Sequence, residues 1–378
     1  MKRIVAAFDS FKGSLTSLEA GEAFGRGVRD VMPDVEVCVL AIADGGEGMA
    51  EAVAASVGGE WLSAMVGDPL GRRREAGYVV VNDGRTAVVA MSAASGLTLL
   101  EESERDPLRA TTYGTGELIL DAIRRGCREV VVGLGGSATN DGGAGMLRAL
   151  GYRFYNARGE ELTASIDILE YTESISSAGR SPLLNGVSIT AAVDVDSPLY
   201  GPLGAAHLFA RQKGADDALV ERLDRALRHF AEVVDARGAD VAGAGAAGGV
   251  GYALRSVLGA ELSSGIDIVL ELVGFDTVAR DAMLVATGEG SLDSQTLRGK
   301  APYGVLRASQ RMGVGCIAVG GRVSDDEQLL DGGFAAIYEA KPRTMPLCEA
   351  MRKSTAIENL RAVGRRVALE EISRISRS

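Results

Sequence analysis

The stretch RIVAAFDSFKGSLTSLEAGEAFGRGVRDVMPDVEVCVLAIADGG (residues 3–46) alternates apolar runs with a segment of helical periodicity. Residues 3–8 form a short apolar run of the length of a buried strand, and residues 35–43 form a second one. Between them, residues 18–31 place apolar side chains at helical spacing. With a further helix predicted over residues 49–57, the order is β-α-β-α, which predicts a parallel sheet covered by helices.

After residue 57, the alternation of strands and helices gives way to consecutive strand-like segments. Residues 61–66, 75–82 and 86–90 are strand-like pieces joined by short polar turns, which predicts a mixed or antiparallel sheet and hence a second domain. Further along, helices are predicted over 117–125, 143–150 and 219–236, and strands over 129–134 and 187–193.

The strand–helix rhythm returns towards the C-terminus, with strands predicted at 283–286, 315–319 and 335–338 and a last helix at 356–368. The predicted fold class is therefore α/β with two domains. Residues 1–70 plus 280–378 are expected to form a Rossmann/flavodoxin-like parallel-sheet domain, and residues 71–279 an inserted mixed-sheet α/β domain.

Composition narrows the classes of function. Of 378 residues, 46% are hydrophobic and 24% are charged, which are the proportions of a globular protein. Because 51 acidic residues outnumber 40 basic ones, a long basic surface for nucleic acid is not expected. A small anionic substrate remains open, since a few local cations and backbone N–H groups can hold it.

No apolar run is long enough to span a membrane, and the N-terminus lacks the pattern of a signal peptide. The four cysteines are widely spaced, which suits reduced thiols and a cytoplasmic location. The sequence leaves a monomer and a homodimer equally open.

Glycine is over-represented, with 50 residues, and the glycines cluster in turns after apolar runs. The first such turn, after residues 3–8, carries Asp9, Ser10, Lys12 and Ser14. Backbone N–H groups, hydroxyls and an ammonium at the start of a helix suit an anion. The alternative is an ordinary capped helix start, with Ser14 or Ser17 as the N-cap and a solvated Lys12.

The second turn, at residues 44–48, places Asp44 among glycines at a strand end. Its carboxylate could approach a substrate hydroxyl or a Mg²⁺ ion, which prefers hard oxygen ligands. The alternative is a turn with exposed acids that include Glu47.

The densest cluster, GLGGSATNDGG at 133–143, follows a predicted strand and suits a loop that cradles phosphate. Its small and polar members are the candidate nucleotide-binding residues, namely Gly135, Gly136, Ser137, Thr139, Asn140 and Gly142. Gly133, Gly135 and Ala138 also satisfy a weak dinucleotide-binding pattern, which keeps an oxidoreductase as an alternative. A second such pattern at 243–248 does not follow a strand, and a close-packed or ligand-facing loop is expected there.

Asp194 and Asp196 end another predicted strand at positions i and i+2, so both carboxylates point to one side of an extended chain. They could share a metal or divide the roles of base and metal ligand, and an ordinary Asx turn is the alternative. Nearby Lys213 could meet a phosphate or lie solvated on the surface.

The fifth turn is predicted at residues 288–293, where Glu289 lies between glycines, and it is followed by Lys300. It lacks the pattern of a P-loop. An acid and a lysine beside a strand end nevertheless fit phosphoryl transfer.

Eight ordered motifs carry a resemblance to the bacterial type 1 glycerate kinases over nearly the whole chain. They are DSFKGSL (9–15), ADGGEG (43–48), ATTYGTGELI (110–119), GGSATNDGGAGM (135–146), VDVDSPLYGPLGA (193–205), QKGA (212–215), GAAGG (245–249) and TGEGSLDSQTLRGKAP (287–302). The resemblance implies ATP-dependent, Mg²⁺-requiring phosphorylation of D-glycerate to 2-phosphoglycerate. It also implies two α/β domains, one flavodoxin- or Rossmann-like and one resembling a restriction endonuclease, with the site in the cleft between them.

Within that class, we expect the glycerate carboxylate at residues 9–14, with Lys12 as its partner, and the ATP phosphates on the turn at 135–143. Asp194 is the first candidate for the base and Asp44 the second, while Lys300 or Lys213 offsets charge on the transferred group. The expected Mg²⁺ ligands come from Asp194, Asp196 and Glu289. The alternatives are phosphorylation of the 3-hydroxyl and a nucleotide-binding module without turnover.

Overall fold

The computed structural model describes residues 2–46 and 48–372, and it divides the chain into two compact units. The terminal unit comprises the chain up to Asp44, Glu51–Gly58 and the chain from Ile266 onward; the inserted unit comprises Gly45–Ala50 and Gly59–Gly265. Glu47 of the second predicted turn lies outside the described residues. The domain boundaries at 70 and 280 stay a prediction.

The terminal unit contains a sheet of five parallel strands flanked by helices. Its elements are β1 (Arg3–Phe8), α1 (Ser17–Val31), β2 (Glu36–Ala41), most of α2 (Met49–Val57), α10 (Gly265–Leu272), α11 (Phe275–Ala279), β12 (Leu284–Leu292), α12 (Ala301–Arg311), β13 (Cys316–Val323), α13 (Asp326–Asp331), β14 (Ala336–Glu339), α14 (Leu347–Ala350) and α15 (Lys353–Val367). The strand order is β2-β1-β12-β13-β14. Counted within the unit this is 2-1-3-4-5, the flavodoxin-like order.

The N-cap of helix α1 is neither Ser14 nor Ser17 but the residue between them, two positions after Ser14 and one before Ser17. Thr16 is the N-cap, and its side chain and that of Glu19 form a capping box. The helix buries Phe24 and Val28 in the core against the sheet. Its outer side packs on α15, where Asp30 forms ion pairs with Arg361 and Arg365. This contact holds α15 in place, and residues of α15 line a cavity of the terminal unit.

The structure corrects the turn predicted at residues 288–293. Strand β12 continues to Leu292 and pairs with β13 as far as Val323. The glycines serve close strand contact: a Cβ atom on Gly288 would lie 2.0 Å from the Val319 carbonyl oxygen, and one on Gly321 would lie 2.6 Å from that of Gly290. Glycine therefore marks tight backbone approach here and does not end the strand.

The inserted unit contains a mixed six-stranded sheet and a small antiparallel sheet. Its elements are β3 (Glu60–Gly67), β4 (Arg73–Val81), β5 (Thr86–Ala90), α3 (Ser92–Ser95), α4 (Tyr113–Arg124), β6 (Glu129–Gly133), α5 (Ala144–Ala149), β7 (Arg153–Tyr155), β8 (Glu161–Leu162), α6 (Ser165–Tyr171), β9 (Ser174–Ser176), β10 (Ser188–Val193), α7 (Ala205–Phe209), α8 (Asp217–Val234), α9 (Ala246–Leu258) and β11 (Glu261–Ser264). The large sheet has the order β11-β10-β6-β5-β4-β3, and β7 is central in the small one.

Strands β3, β4 and β5 are antiparallel, as the short polar turns between them predicted, whereas β5, β6, β10 and β11 are parallel. The carboxyl ends of β6 and β10 therefore lie side by side. An apolar core packs against this sheet, with the stripe of α8 among its members. The predicted class, α/β with a parallel sheet and a second mixed sheet, is confirmed. None of the described helices is long and apolar enough to cross a membrane.

Candidate active site

In the terminal unit, a cavity of about 430 Å³ lies at the carboxyl ends of β1 and β12. The strand order changes direction between these two strands, and open α/β sheets bind ligands at that point. The cavity brings together the charged and hydroxyl residues predicted from three separate motifs. They are Asp9, Ser10, Lys12, Ser14, Asp44, Glu289 and Lys300.

Asp9 is the most perturbed acid of this cavity. It directly follows β1, is 8% exposed, and its Oδ1 accepts the backbone N–H of Ser10 at 2.6 Å. Burial raises the pKa of Asp9 to about 7, and the negative charges of Asp44 and Glu289 add to the effect. Three carboxylates from three neighbouring strands thus repel each other at one edge of the sheet, which favours a proton or a cation there.

Glu289 lies in β12 and its Oε1 accepts two hydrogen bonds. The donors are the Thr296 hydroxyl at 3.1 Å and the Lys300 ammonium at 3.5 Å. Burial raises the pKa of Glu289, while Lys300 and Thr296 oppose the shift. Lys300 also approaches Asp293 at 3.8 Å, so its ammonium is shared between two carboxylates.

Lys12 and Arg322 are exposed at this cavity, and neither forms an ion pair with another described residue. The Ser14 hydroxyl oxygen is buried and has no hydrogen-bond partner among the described residues. These are groups with spare capacity for an anionic ligand.

The other wall of the cavity was missed by sequence reasoning. It is apolar and comes largely from the C-terminal helices, with members Phe11, Leu347, Ala350, Met351, Ala356 and Leu360. The amide of Asn359 and the basic side chains of Arg322 and Lys341 also line the cavity. No pattern in the sequence marks this wall, because the exposure of Leu347 and Met351 is known only once the helices are placed.

The inserted unit has its own cavity, of about 330 Å³, at the carboxyl ends of β6 and β10. It brings together Gly135, Gly136 and Ser137 of the glycine-rich turn with Asp194 and with Gln212–Lys213. The remaining wall is largely apolar and includes Phe209 and Ala247.

Lys213 is buried, which excludes the solvated surface position that the sequence left open. Its side chain is among the fully buried ones, and its Nζ donates to the Ser137 hydroxyl at 2.9 Å and to the Thr139 carbonyl at 2.6 Å. Burial lowers the pKa of Lys213 to about 7, and the carboxylate of Asp141 opposes the shift. This lysine holds the glycine-rich turn while it lines the cavity.

Asp141 organises the turn from behind, and the sequence did not single it out. Its buried carboxylate accepts hydrogen bonds from the Thr112 backbone and hydroxyl and from the backbone N–H groups of Gly143 and Gly145. Burial raises its pKa, and these donors oppose the shift. The bonds tie the turn to the starts of α4 and α5, which gives Thr112 of the motif at 110–119 a structural role.

Three predicted nucleotide-binding residues of this turn, Thr139, Asn140 and Gly142, are buried and do not line the cavity. They lie against the second glycine run, in which Ala247, Gly248 and Gly249 have left-handed backbone angles. A Cβ atom on Gly248 would lie 2.1 Å from the Thr139 carbonyl oxygen. This run is therefore close-packed against the turn, and Ala247 also lines the cavity.

Asp194 and Asp196 are both exposed just after β10, but only Asp194 lines the cavity. The Asp194 Oδ1 accepts the backbone N–H of Gly265 at 3.3 Å. Within the described residues there is no group of three or more His, Cys, Asp or Glu side chains that could hold a metal ion. The candidate carboxylates are those of Asp194 and Asp196 in this unit and Glu289 in the other.

The fold and these acid and lysine groups at parallel strand ends are those of a two-unit α/β enzyme for a small anionic substrate. The sequence pattern of the glycerate kinase family matches residues 4–370. The chain belongs to this family. The predicted class of enzyme, a glycerate kinase that phosphorylates glycerate with ATP, is thereby confirmed.

Two curated relatives cover nearly the whole chain. Glycerate kinase of Bacillus subtilis (strain 168) is 44% identical over 353 residues, which is 92% of both chains. Glycerate 2-kinase of Escherichia coli (strain K12) is 41% identical over 373 residues, which is 97% of both chains. A crystal structure from Salmonella typhimurium LT2, provisionally described as glycerate kinase 2, is 40% identical with a TM-score of 0.89 and covers 99% of both chains.

Proposed function

We propose that this protein transfers the γ-phosphoryl group of ATP to the 2-hydroxyl of D-glycerate, giving 2-phospho-D-glycerate and ADP. The observation that carries the position of transfer is the 41% identity to a glycerate 2-kinase over 97% of the chain. Acids and lysines at two sets of parallel strand ends support the chemistry, because phosphoryl transfer depends on positioning and charge neutralisation.

We assign the general base to Asp194, with Asp44 as the second candidate. Asp194 is exposed at the end of β10 and lines a cavity together with a cation, so its carboxylate can accept a proton from a bound hydroxyl. As the hydroxyl oxygen bonds to the γ-phosphorus, its proton passes to the carboxylate. The bond from the γ-phosphorus to the bridging oxygen breaks, and that oxygen leaves on ADP.

The cations divide between the two cavities. Lys12 and Lys300 line the one in the terminal unit, and Lys213 lines the one in the inserted unit. Each cavity also contains hydroxyl groups, Ser10 and Ser14 in the first and Ser137 in the second. A cation and hydroxyl donors can hold a carboxylate or a phosphate in either place.

Mg²⁺ is the proposed cofactor, held by a subset of Asp194, Asp196 and Glu289. Mg²⁺ is commonly bound by one or two carboxylates together with phosphates and water, so these oxygen donors fit the ion. When bound, it would neutralise charge on the phosphates. Burial chiefly raises the pKa values of Asp9 and Glu289, the charge of Asp44 adds to both shifts, and a bound cation would favour the ionised carboxylates.

The direct test is a coupled assay of ADP release with D-glycerate, ATP and Mg²⁺, with the phosphate position read by NMR. Phosphate on carbon 2 is the expected result. Phosphate on carbon 3 would keep the kinase and overturn the position of transfer. ADP binding without release of product from any hydroxy acid would favour a nucleotide-binding module and overturn the proposal.

A further inference from the structure

The terminal-unit cavity has two chemically different ends. At the strand ends it carries Asp9, Asp44 and Glu289 with lysines beside them, and away from the sheet it is lined by Phe11, Met351 and other apolar side chains. Leu347 is 58% exposed and Met351 is 39% exposed, which leaves apolar surface in water beside charged groups. Such surface next to a polar site commonly receives an apolar part of a ligand.

Glycerate cannot use this apolar wall, because each of its three carbons carries an oxygen. A purine nucleotide has the matching asymmetry, with a flat apolar ring at one end and phosphates at the other. The largely buried ring of Phe11 lines the cavity, and the more exposed Met351 supplies a polarisable thioether that suits contact with an aromatic ring. The Met351 methyl lies close to Gly13, so this thioether stands next to the turn that carries Lys12.

The charged residues that line the two cavities also favour the nucleotide in the terminal-unit cavity. Four basic side chains, Lys12, Lys300, Arg322 and Lys341, line the terminal-unit cavity together with three acids. The inserted-unit cavity is lined by one lysine, Lys213, and one acid, Asp194. A triphosphate with a divalent cation needs several cations and acids, whereas glycerate has a single carboxylate to neutralise and a single hydroxyl to deprotonate.

We propose that the terminal-unit cavity is the nucleotide site, with the purine ring against Phe11, Leu347 and Met351 and the phosphates towards Lys12 and Lys300. The inserted-unit cavity then binds glycerate, with its carboxylate on Lys213 and its reacting hydroxyl near Asp194. The assignment rests on the proposed function. It is the reverse of the expectation from the sequence, which placed glycerate at residues 9–14 and the ATP phosphates at 135–143.

Asn359 gives the purine subsite a means of recognising its base. Its side chain lies half-buried on α15 at the cavity, and its amide nitrogen donates a hydrogen bond of 3.6 Å to the Met345 sulfur. The amide oxygen can accept a hydrogen bond from the exocyclic amine of adenine. Inosine nucleotides lack that amine, so ADP should bind more tightly than IDP.

The test compares ADP with inorganic pyrophosphate, which carries the charge without the base, by calorimetric titration of the full chain. Met351→Asp should raise the Kd for ADP about tenfold because it places a charge against the ring. Met351→Leu keeps the apolar surface but removes the thioether, so it should raise the Kd for ADP by less than about threefold, well below the effect of Met351→Asp. Leu330→Asp, on α13 and outside the cavity, is the surface control. Pyrophosphate affinity should change less than about twofold for Met351→Leu and Leu330→Asp.

Unchanged ADP affinity in both Met351→Asp and Leu347→Asp would overturn the assignment. Both positions are exposed, so the folded protein should persist, and circular dichroism checks this. The outcome is independent of turnover: a chain that binds ADP through this wall but phosphorylates nothing would refute the proposed function alone. Active enzyme with unchanged ADP binding would refute the nucleotide site alone.

A second experiment tests whether Asn359 recognises the purine base. Asn359→Leu should abolish the preference for ADP over IDP and leave pyrophosphate binding unchanged, since only the base contacts this amide. A preference that survives the substitution would remove Asn359 from the subsite.

Discussion

The two cavities hold their lysines in opposite ways. In the inserted unit, Lys213 is buried and donates hydrogen bonds to the glycine-rich turn, and the buried carboxylate of Asp141 holds the same turn from outside the cavity lining. In the terminal unit, Lys12 is exposed, and the acids at the strand ends repel each other. The first arrangement is pre-organised before any ligand arrives, and the second is completed by ligands that bring opposite charge.

This difference is what the two substrates require. A small acid offers few contacts, so the groups that position it must already be rigid. A large nucleotide with a divalent cation brings enough binding energy to order exposed side chains and to relieve repulsion among carboxylates. The contrast therefore supports the same assignment as the apolar wall.

The largest effect is expected from Asp141→Ala. The substitution leaves a hydroxyl and several backbone N–H groups of α4 and α5 without an acceptor, and should lower the free energy of unfolding by about 3 kcal/mol or more. Urea denaturation measures it. Asp240→Ala, at an exposed position of the same unit, should change stability by less than about 0.5 kcal/mol. Equal losses would contradict a buried anchor.

Asp194→Asn should reduce kcat by about a hundredfold or more if its carboxylate is the base. Asp240→Asn is the matched control, and ADP release is the measurement. A folded Asp194→Asn protein with near-normal turnover would remove Asp194 from this role, and Asp44→Asn would then be tested in the same assay.

Two lysine substitutions should have crossed effects on the substrates. Lys213→Met should raise the KM for glycerate about tenfold with little change in the Kd for ADP, because it removes a charged hydrogen-bond donor. Lys12→Met should instead weaken ADP binding and leave the KM for glycerate nearly unchanged. Steady-state kinetics and ADP titration provide both numbers. The reverse pattern would restore Lys12 as the partner of glycerate.

The smallest effect is a dependence on pH. Because burial lowers the pKa of Lys213 to about 7, its ammonium is present below that pH and is lost above it. The KM for glycerate should therefore rise about threefold or more as pH increases from about 7 to about 9. Initial rates at varied glycerate measure it, with Lys12→Met expected to show the same profile. A constant KM across this range would show that the charge of Lys213 does not bind glycerate.

Much of the fold could be predicted because apolar periodicity is local. β1 and β5 have the predicted bounds, and α1 and β6 differ by a residue at one end. The prediction failed where glycine has a tertiary purpose. The glycines of β12 and β13 suggested a turn, although they allow two strands to approach closely. Local patterns do not distinguish these two uses of glycine.

The polar candidates were found because acids and lysines next to glycines stand out in a sequence. What could not be read was burial: the sequence left Lys213 open between a phosphate contact and a solvated surface position, and Thr139 and Asn140 looked like ligand contacts. The apolar wall was invisible for a similar reason. Met351 and Leu360 look like ordinary helix residues until α15 is placed against α1.

The most direct test of the assignment is a crystal structure of this protein with ADP and Mg²⁺. The account predicts that the purine ring lies against Phe11 and Met351, with the diphosphate towards Lys12 and Lys300. A diphosphate bound instead on the turn at Gly135, Gly136 and Ser137, with the Phe11 wall empty, would contradict it.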